Sequence, residues 1–144
     1  MSDQVCRVSG LAFNVPQGWI DRTVVVWSAP PSSSPVPPNF AVAYDRPKPD
    51  EALPEYAERQ IADLARAAQG FELELRREIV FAGRPAVEVI FRWGAAPGVM
   101  QQRQVYCALP DGRVVSVAST ARAADFAQAD REFRRILRSL RWEG

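Results

Sequence analysis

Between Phe71 and Thr120 the chain repeats one pattern four times, a run of alternating apolar and polar residues closed by a short turn. Successive side chains of a strand point to opposite faces, so such alternation marks half-buried strands and argues against helix. In the first run Phe71, Leu73, Leu75, Ile79 and Phe81 face inward while Glu72, Glu74, Arg76 and Glu78 face out. In the second, Val87, Val89, Phe91 and Trp93 share a face opposite Glu88 and Arg92. The connections, Ala82 to Pro85, Gly94 to Gly98 and Pro110 to Gly112, are too short for a crossover helix. An antiparallel meander follows, with the charged first run as an edge strand.

The third run, Val99 to Leu109, departs from a simple core strand because it carries three glutamines and an arginine. Strand parity puts Met100, Gln102, Gln104 and Tyr106 on one face and Val105, Cys107 and Leu109 on the other. The second set is core. A face that mixes apolar bulk with amides suits the holding of another polypeptide.

The rest of the chain adds strands and two helices. Val5 to Val8 and Leu11 to Val15 flank Ser9 and Gly10 and predict a hairpin. Val24 to Trp27 is a β-branched strand, and cover on both faces would explain its continuous apolar run. The proline-rich stretch Ser28 to Pro38 cannot continue a central strand and reads as a stiff connector rather than a polyproline ligand. Asn39 to Arg46 alternates again, with Phe40, Val42 and Tyr44 against Asn39, Ala41, Ala43 and Asp45. Leu53, Ala57, Ile61, Leu64 and Ala68 fall at helical spacing, and a helix is expected from near Leu53 until Gly70 stops it. A closing helix beginning between Ala121 and Asp125 and running to about Trp142 presents Phe126, Ala129, Phe133, Ile136, Leu137 and Leu140 as its apolar stripe. The fold class is therefore α+β: an antiparallel sheet of about six to seven strands with two main helices, in a single domain spanning residues 1–144. The large residues Phe40, Val42, Tyr44, Val105 and Cys107 are expected to pack under both helices.

Composition removes several function classes. The 144 residues carry a net charge of +1, which draws the chain toward neither nucleic acid nor an anionic membrane. Arginines of the closing helix alternate with Asp130 and Glu132 and lack an aromatic platform, as a solvated face would. Histidine is absent, and with it the usual general base near neutral pH and the commonest metal ligand. Glu72, Glu74 and Glu78 stand on one solvated strand face, where nothing separates their pKa values for acid and base roles. Neither an enzyme nor a metal or other cofactor is expected. Cys6 and Cys107 are too far apart for a metal or redox motif and read as two buried thiols. The amino-terminal residues lack the pattern of a secretory signal, and no stretch is apolar enough to span a bilayer, so a cytoplasmic protein without membrane insertion is expected.

What remains is a surface. Ala41, Ala43, Gln102, Gln104, Ser116 and Ala118 have parity opposite to the large residues; on one continuous face they would form a shallow trough. Small side chains admit a helix closely. Covering on the order of several hundred Å² there would give roughly 10 kcal/mol gross, against about 1 kcal/mol net per glutamine hydrogen bond, so area supplies affinity and amides set register.

Taken in order, Asn14 to Pro16 with Trp19 and Asp21, Phe40 to Asp45, Tyr56 with Gln60, Gly83 to Ala86, Arg103 to Val105 and the aromatic closing helix resemble the DcrB-related family over roughly Val5 to Trp142. Within it the chain is most similar to the Eag chaperones of type VI secretion, which hold the amino-terminal transmembrane helices of effectors before export. The resemblance implies a PsbP-like fold with a curved sheet, a homodimer, and a client groove on the sheet and neighbouring helix. It implies Val24, Val26, Asn39, Ala41, Ala43, Gln60, Leu64, Met100, Gln102 and Gln104 as client-binding positions, with Ala41 and Ala43 standing where the family pattern has more bulk. The function expected is a chaperone and adaptor shielding the transmembrane helices of a secreted effector; the alternative is a non-enzymatic accessory module binding a small molecule or another protein.

Overall fold

In chain order the computed structural model, which describes residues 3–31 and 34–143, forms β1 (Gln4–Val8), β2 (Leu11–Val15), β3 (Val24–Ser28), β4 (Asn39–Asp45), α1 (Leu53–Ala67), β5 (Glu72–Phe81), β6 (Arg84–Trp93), β7 (Met100–Ala108), β8 (Val114–Arg122) and α2 (Ala123–Ser139). Ser32 and Ser33 of the proline-rich connector lie outside the described residues, as do the first two residues and the last. Six strands make one antiparallel sheet in the order β3-β4-β8-β7-β6-β5, while β1 and β2 pair only with each other. The expected meander is its β5 to β8 portion, four of the six strands, built by short turns. Gly94 shows why one turn needs glycine: its φ is +96°, and a Cβ there would meet the Gly98 carbonyl oxygen at 2.9 Å.

The two helices lie on opposite faces of this sheet. On one face Tyr56 and Ala57 of α1 pack against Val87, Val89, Phe91 and Tyr106 of β6 and β7, and the Tyr56 and Tyr106 rings meet edge to face at 5.7 Å. On the other, Leu137 at the end of α2 and Leu140 just beyond it pack against Phe40, Val105, Cys107, Val115 and Val117. This corrects the expectation that Phe40, Val42, Tyr44, Val105 and Cys107 sit under both helices: the buried members of that set lie under α2, because α1 packs on the opposite parity. Tyr44 is exposed beyond it.

Three further expectations are revised. Val24 to Trp27 is not a covered central strand; β3 is the sheet's edge and is exposed on both faces, Trp27 at 73%. The first run of the meander changes face partway, because a bulge between Leu73 and Leu75 shifts the register against β6. Leu73 thus shares the α1 face, whereas Ile79 and Phe81 pack with the α2 cluster. Cys107 is buried, but Cys6 is half-exposed on the separate hairpin.

Helix α2 ends three residues short of Trp142. The segment after Ser139 turns back to the β5–β6 connection, where the Trp142 indole donates to the Ala82 carbonyl at 2.7 Å and the Arg84 guanidinium lies 4.1 Å from its ring centroid. That contact fixes the tryptophan beyond the end of the helix. Beneath α2, Arg103 is buried on β7 with Asp130 held through both carboxylate oxygens and Glu88 at 3.0 Å. Arg77 and Arg134 then bind the two carboxylates from outside at 2.7 and 2.9 Å.

Candidate functional site

Sheet register assembles the site without any long connection. Starting from β3, one cross-strand row reads Val24, Ala43, Ser116, Tyr106; the next reads Val26, Ala41, Ala118, Gln104; the third reads Ser28, Asn39, Thr120, Gln102. Met100 extends the β7 column two residues beyond Gln102. Residues directly opposite in a ladder share a face, so the eight sheet positions Val24, Val26, Asn39, Ala41, Ala43, Met100, Gln102 and Gln104 stand on one side. Tyr106 in the first row is the residue that α1 covers, which fixes this as the α1 side.

Within that face the helix is off-centre. It packs over β6, β7 and Val114 at the start of β8, so the small side chains farther along β8 and those of β4 and β3 carry no helix above them. Ala41, Ala43, Ser116, Ala118 and Thr120 are half-buried, and at the rim Val24 and Val26 are 54% and 57% exposed. The wall is α1. Leu64 points into the helix's own packing with the Tyr56 cluster, and Gln60, one turn earlier, is half-buried. Leu64 therefore anchors the wall, and the uncovered floor is supplied by strands.

The amides are held by neighbours on the same face. Thr120 Oγ1 donates to Gln102 Oε1 at 3.1 Å, and the Tyr106 hydroxyl donates to Gln104 Oε1. Burial pushes the Tyr106 hydroxyl well above the usual tyrosine range, so it stays a protonated donor. Tyr56 is shifted the same way by burial, then by its hydrogen bond at 2.8 Å to Asp45, which ties α1 to the end of β4. No acid and base pair converges on this floor, and among the described residues no cluster of cysteine and carboxylate side chains is placed to hold a metal ion. The arrangement can bury apolar surface and exchange hydrogen bonds.

Sequence reasoning missed Thr120 and Tyr106 as partners of the glutamines. The signal was present: the Pro110 to Gly112 turn sets the β7–β8 register, which places Thr120 opposite Gln102. A separate cleft of about 440 Å³ lies across the sheet edge from the trough, lined by Trp27, Pro30, Phe40, Phe133 and Ile136.

A family model described as DcrB matches residues 11–139 of the chain. Comparison with curated proteins by sequence finds no match. Among solved structures, a protein of unknown function from Pseudomonas aeruginosa, PA94, superposes with a TM-score of 0.83 at 20% identity, covering 100% of this chain and 99% of its own. LpqN of Mycobacterium tuberculosis, described as involved in cell envelope biogenesis, gives 0.58 at 12% identity over 85% of each chain. The cyanobacterial PsbP of Synechocystis gives 0.52 at 12% identity over 85% of this chain and 81% of its own. At these identities the likeness is one of fold, and it establishes the α+β, PsbP-like class.

Proposed function

The chain belongs to the DcrB family, and from that premise we propose that it is a chaperone and adaptor that binds and shields the amino-terminal transmembrane helices of a type VI secretion effector. The observation that carries this reading is the uncovered half of the α1 face. Three strands at about 4.8 Å spacing span roughly 14 Å, enough for one helix of about 10 Å diameter lying against the α1 wall. Alanines and serines let that helix approach closely, Val24 and Val26 give it apolar contact, and Gln102 and Gln104 meet its polar groups. In this role the protein performs no chemistry and needs no cofactor; it acts in the cytoplasm as a homodimer. Among its described residues no helix is long and apolar enough to cross a membrane.

A transmembrane helix in water exposes apolar surface that drives aggregation or misplaced insertion, and a trough removes that surface from solvent. The test is co-expression with an effector fragment containing its transmembrane segment. Co-purification of a soluble complex is expected; a fragment equally soluble alone would sink the reading. The second reading, an accessory module for a small molecule, draws on the cleft beside Trp27 and Phe133. Native mass spectrometry separates the two, since a small adduct on wild type that is lost on Phe133→Ala, with no capture of the helix by wild type, would favour the module.

A further inference from the structure

The trough's two central amides are oriented. Each offers an oxygen that accepts and a nitrogen that donates, and an amide free in water presents either. Here both oxygens are engaged from within the sheet, Gln102 Oε1 by Thr120 and Gln104 Oε1 by Tyr106. No other described residue takes the Nε2 of either glutamine. Both side chains are half-buried at the line where the α1-covered strands meet the uncovered floor.

We propose that Thr120 and Tyr106 are positioning residues that turn the floor into a donor surface, so that the preferred occupant is an apolar helix carrying an exposed hydrogen-bond acceptor facing Gln102 and Gln104. This deepens the chaperone reading and rests on it. A continuous apolar helix satisfies its own backbone carbonyls and has nothing to offer the amides. A helix interrupted by proline does: the missing N–H frees the carbonyl one turn earlier, an acceptor with no donor attached. Burying the two donors under a helix without such a group leaves them unsatisfied, which penalises that helix, while a matching acceptor is rewarded. The floor thereby distinguishes broken apolar helices from uniform ones although most of its area is indifferent to sequence.

The experiment uses three probes, each a soluble carrier fused to a 20-residue leucine and alanine helix: one uniform, one with a central proline, and one with a central tryptophan, whose indole only donates. Affinities of the wild-type protein are measured by competition. The proline helix is expected to bind roughly 3- to 10-fold more tightly than the uniform one, and the tryptophan helix no more tightly. In Thr120→Val, and in Thr120→Val with Tyr106→Phe, the amides can turn over and accept as well as donate, so within each variant the preference for the proline helix over the tryptophan helix is expected to fall toward unity. Thr120→Val is nearly isosteric and half-exposed, so it keeps the test valid if Tyr106→Phe weakens the fold. Equal binding of all three probes by the wild-type protein, or a preference for proline over tryptophan that survives in the variants, overturns this inference alone. Failure to hold any of the three overturns it together with the chaperone reading.

Discussion

Ala41 and Ala43 sit in the middle of the proposed floor, between Val26 and Val24 on one side and Ala118 and Ser116 on the other. Arginine at either position projects a long charged chain where a helix backbone should approach. Capture of a transmembrane fragment should be lost in Ala41→Arg and Ala43→Arg, with a thermal midpoint within a few degrees of wild type because neither side chain is part of a buried cluster. Retained capture would show that the floor is elsewhere. Arg103 on the opposite face offers the reverse case, a residue whose loss is paid in stability rather than binding. Its guanidinium is the shared partner of Glu88 and Asp130 under α2, and Arg103→Leu leaves two carboxylates desolvated with only their outer arginines. A cost of about 3 kcal/mol is expected, read as a lower denaturant midpoint at unchanged slope.

The elements themselves were largely legible, because both periods are strong: the alternation from Phe71 to Thr120 became β5 to β8, and the stripe from Leu53 to Leu64 became the packed side of α1. What was not legible depended on partners distant in sequence. No local pattern tells Val24 to Trp27 that nothing pairs beyond it, and a bulge at Glu74 cannot be placed where Phe71 to Arg76 alternate without a break. The shared face of the trough could be proposed from parity but needed the β4–β8 register, which joins strands about seventy residues apart, to be closed. A prediction at this scale concerns the entry to α1. Glu51 binds Arg59 through two hydrogen bonds of 2.8 Å and accepts from the Lys48 N–H, fastening the preceding loop to the helix. Its carboxyl is held near about 2, below the ordinary 4.5, chiefly by Arg59. An acid depressed in the folded state supports folding above its unfolded pKa and loses that support as pH falls through the folded value. Glu51→Gln should therefore lower stability at neutral pH and flatten the acid dependence between about 4.5 and about 2, the two curves converging at the lower end.

At the scale of the whole molecule the sheet has two edges of opposite character. β5 carries Glu72, Glu74, Arg76, Arg77 and Glu78 and a bulge, devices that discourage pairing with another chain. β3 has none of them: Val24, Val25, Val26 and Trp27 are uncharged and exposed by 45 to 73%. An edge of this kind is suited to being covered by a second copy, since antiparallel pairing centred on Val26 sets Val25 against Trp27 in both directions. Such pairing has its two-fold axis perpendicular to the sheet, so both α1 faces lie on the same side and the two troughs become neighbours. Val25 points away from the trough, as its ladder partner Val42 does. Val25→Lys should accordingly convert the proposed dimer to monomer in sedimentation equilibrium while leaving the trough residues untouched. If the monomer still holds one apolar helix, each trough works alone and the dimer serves clients with two; if it holds none, the floor requires its neighbour.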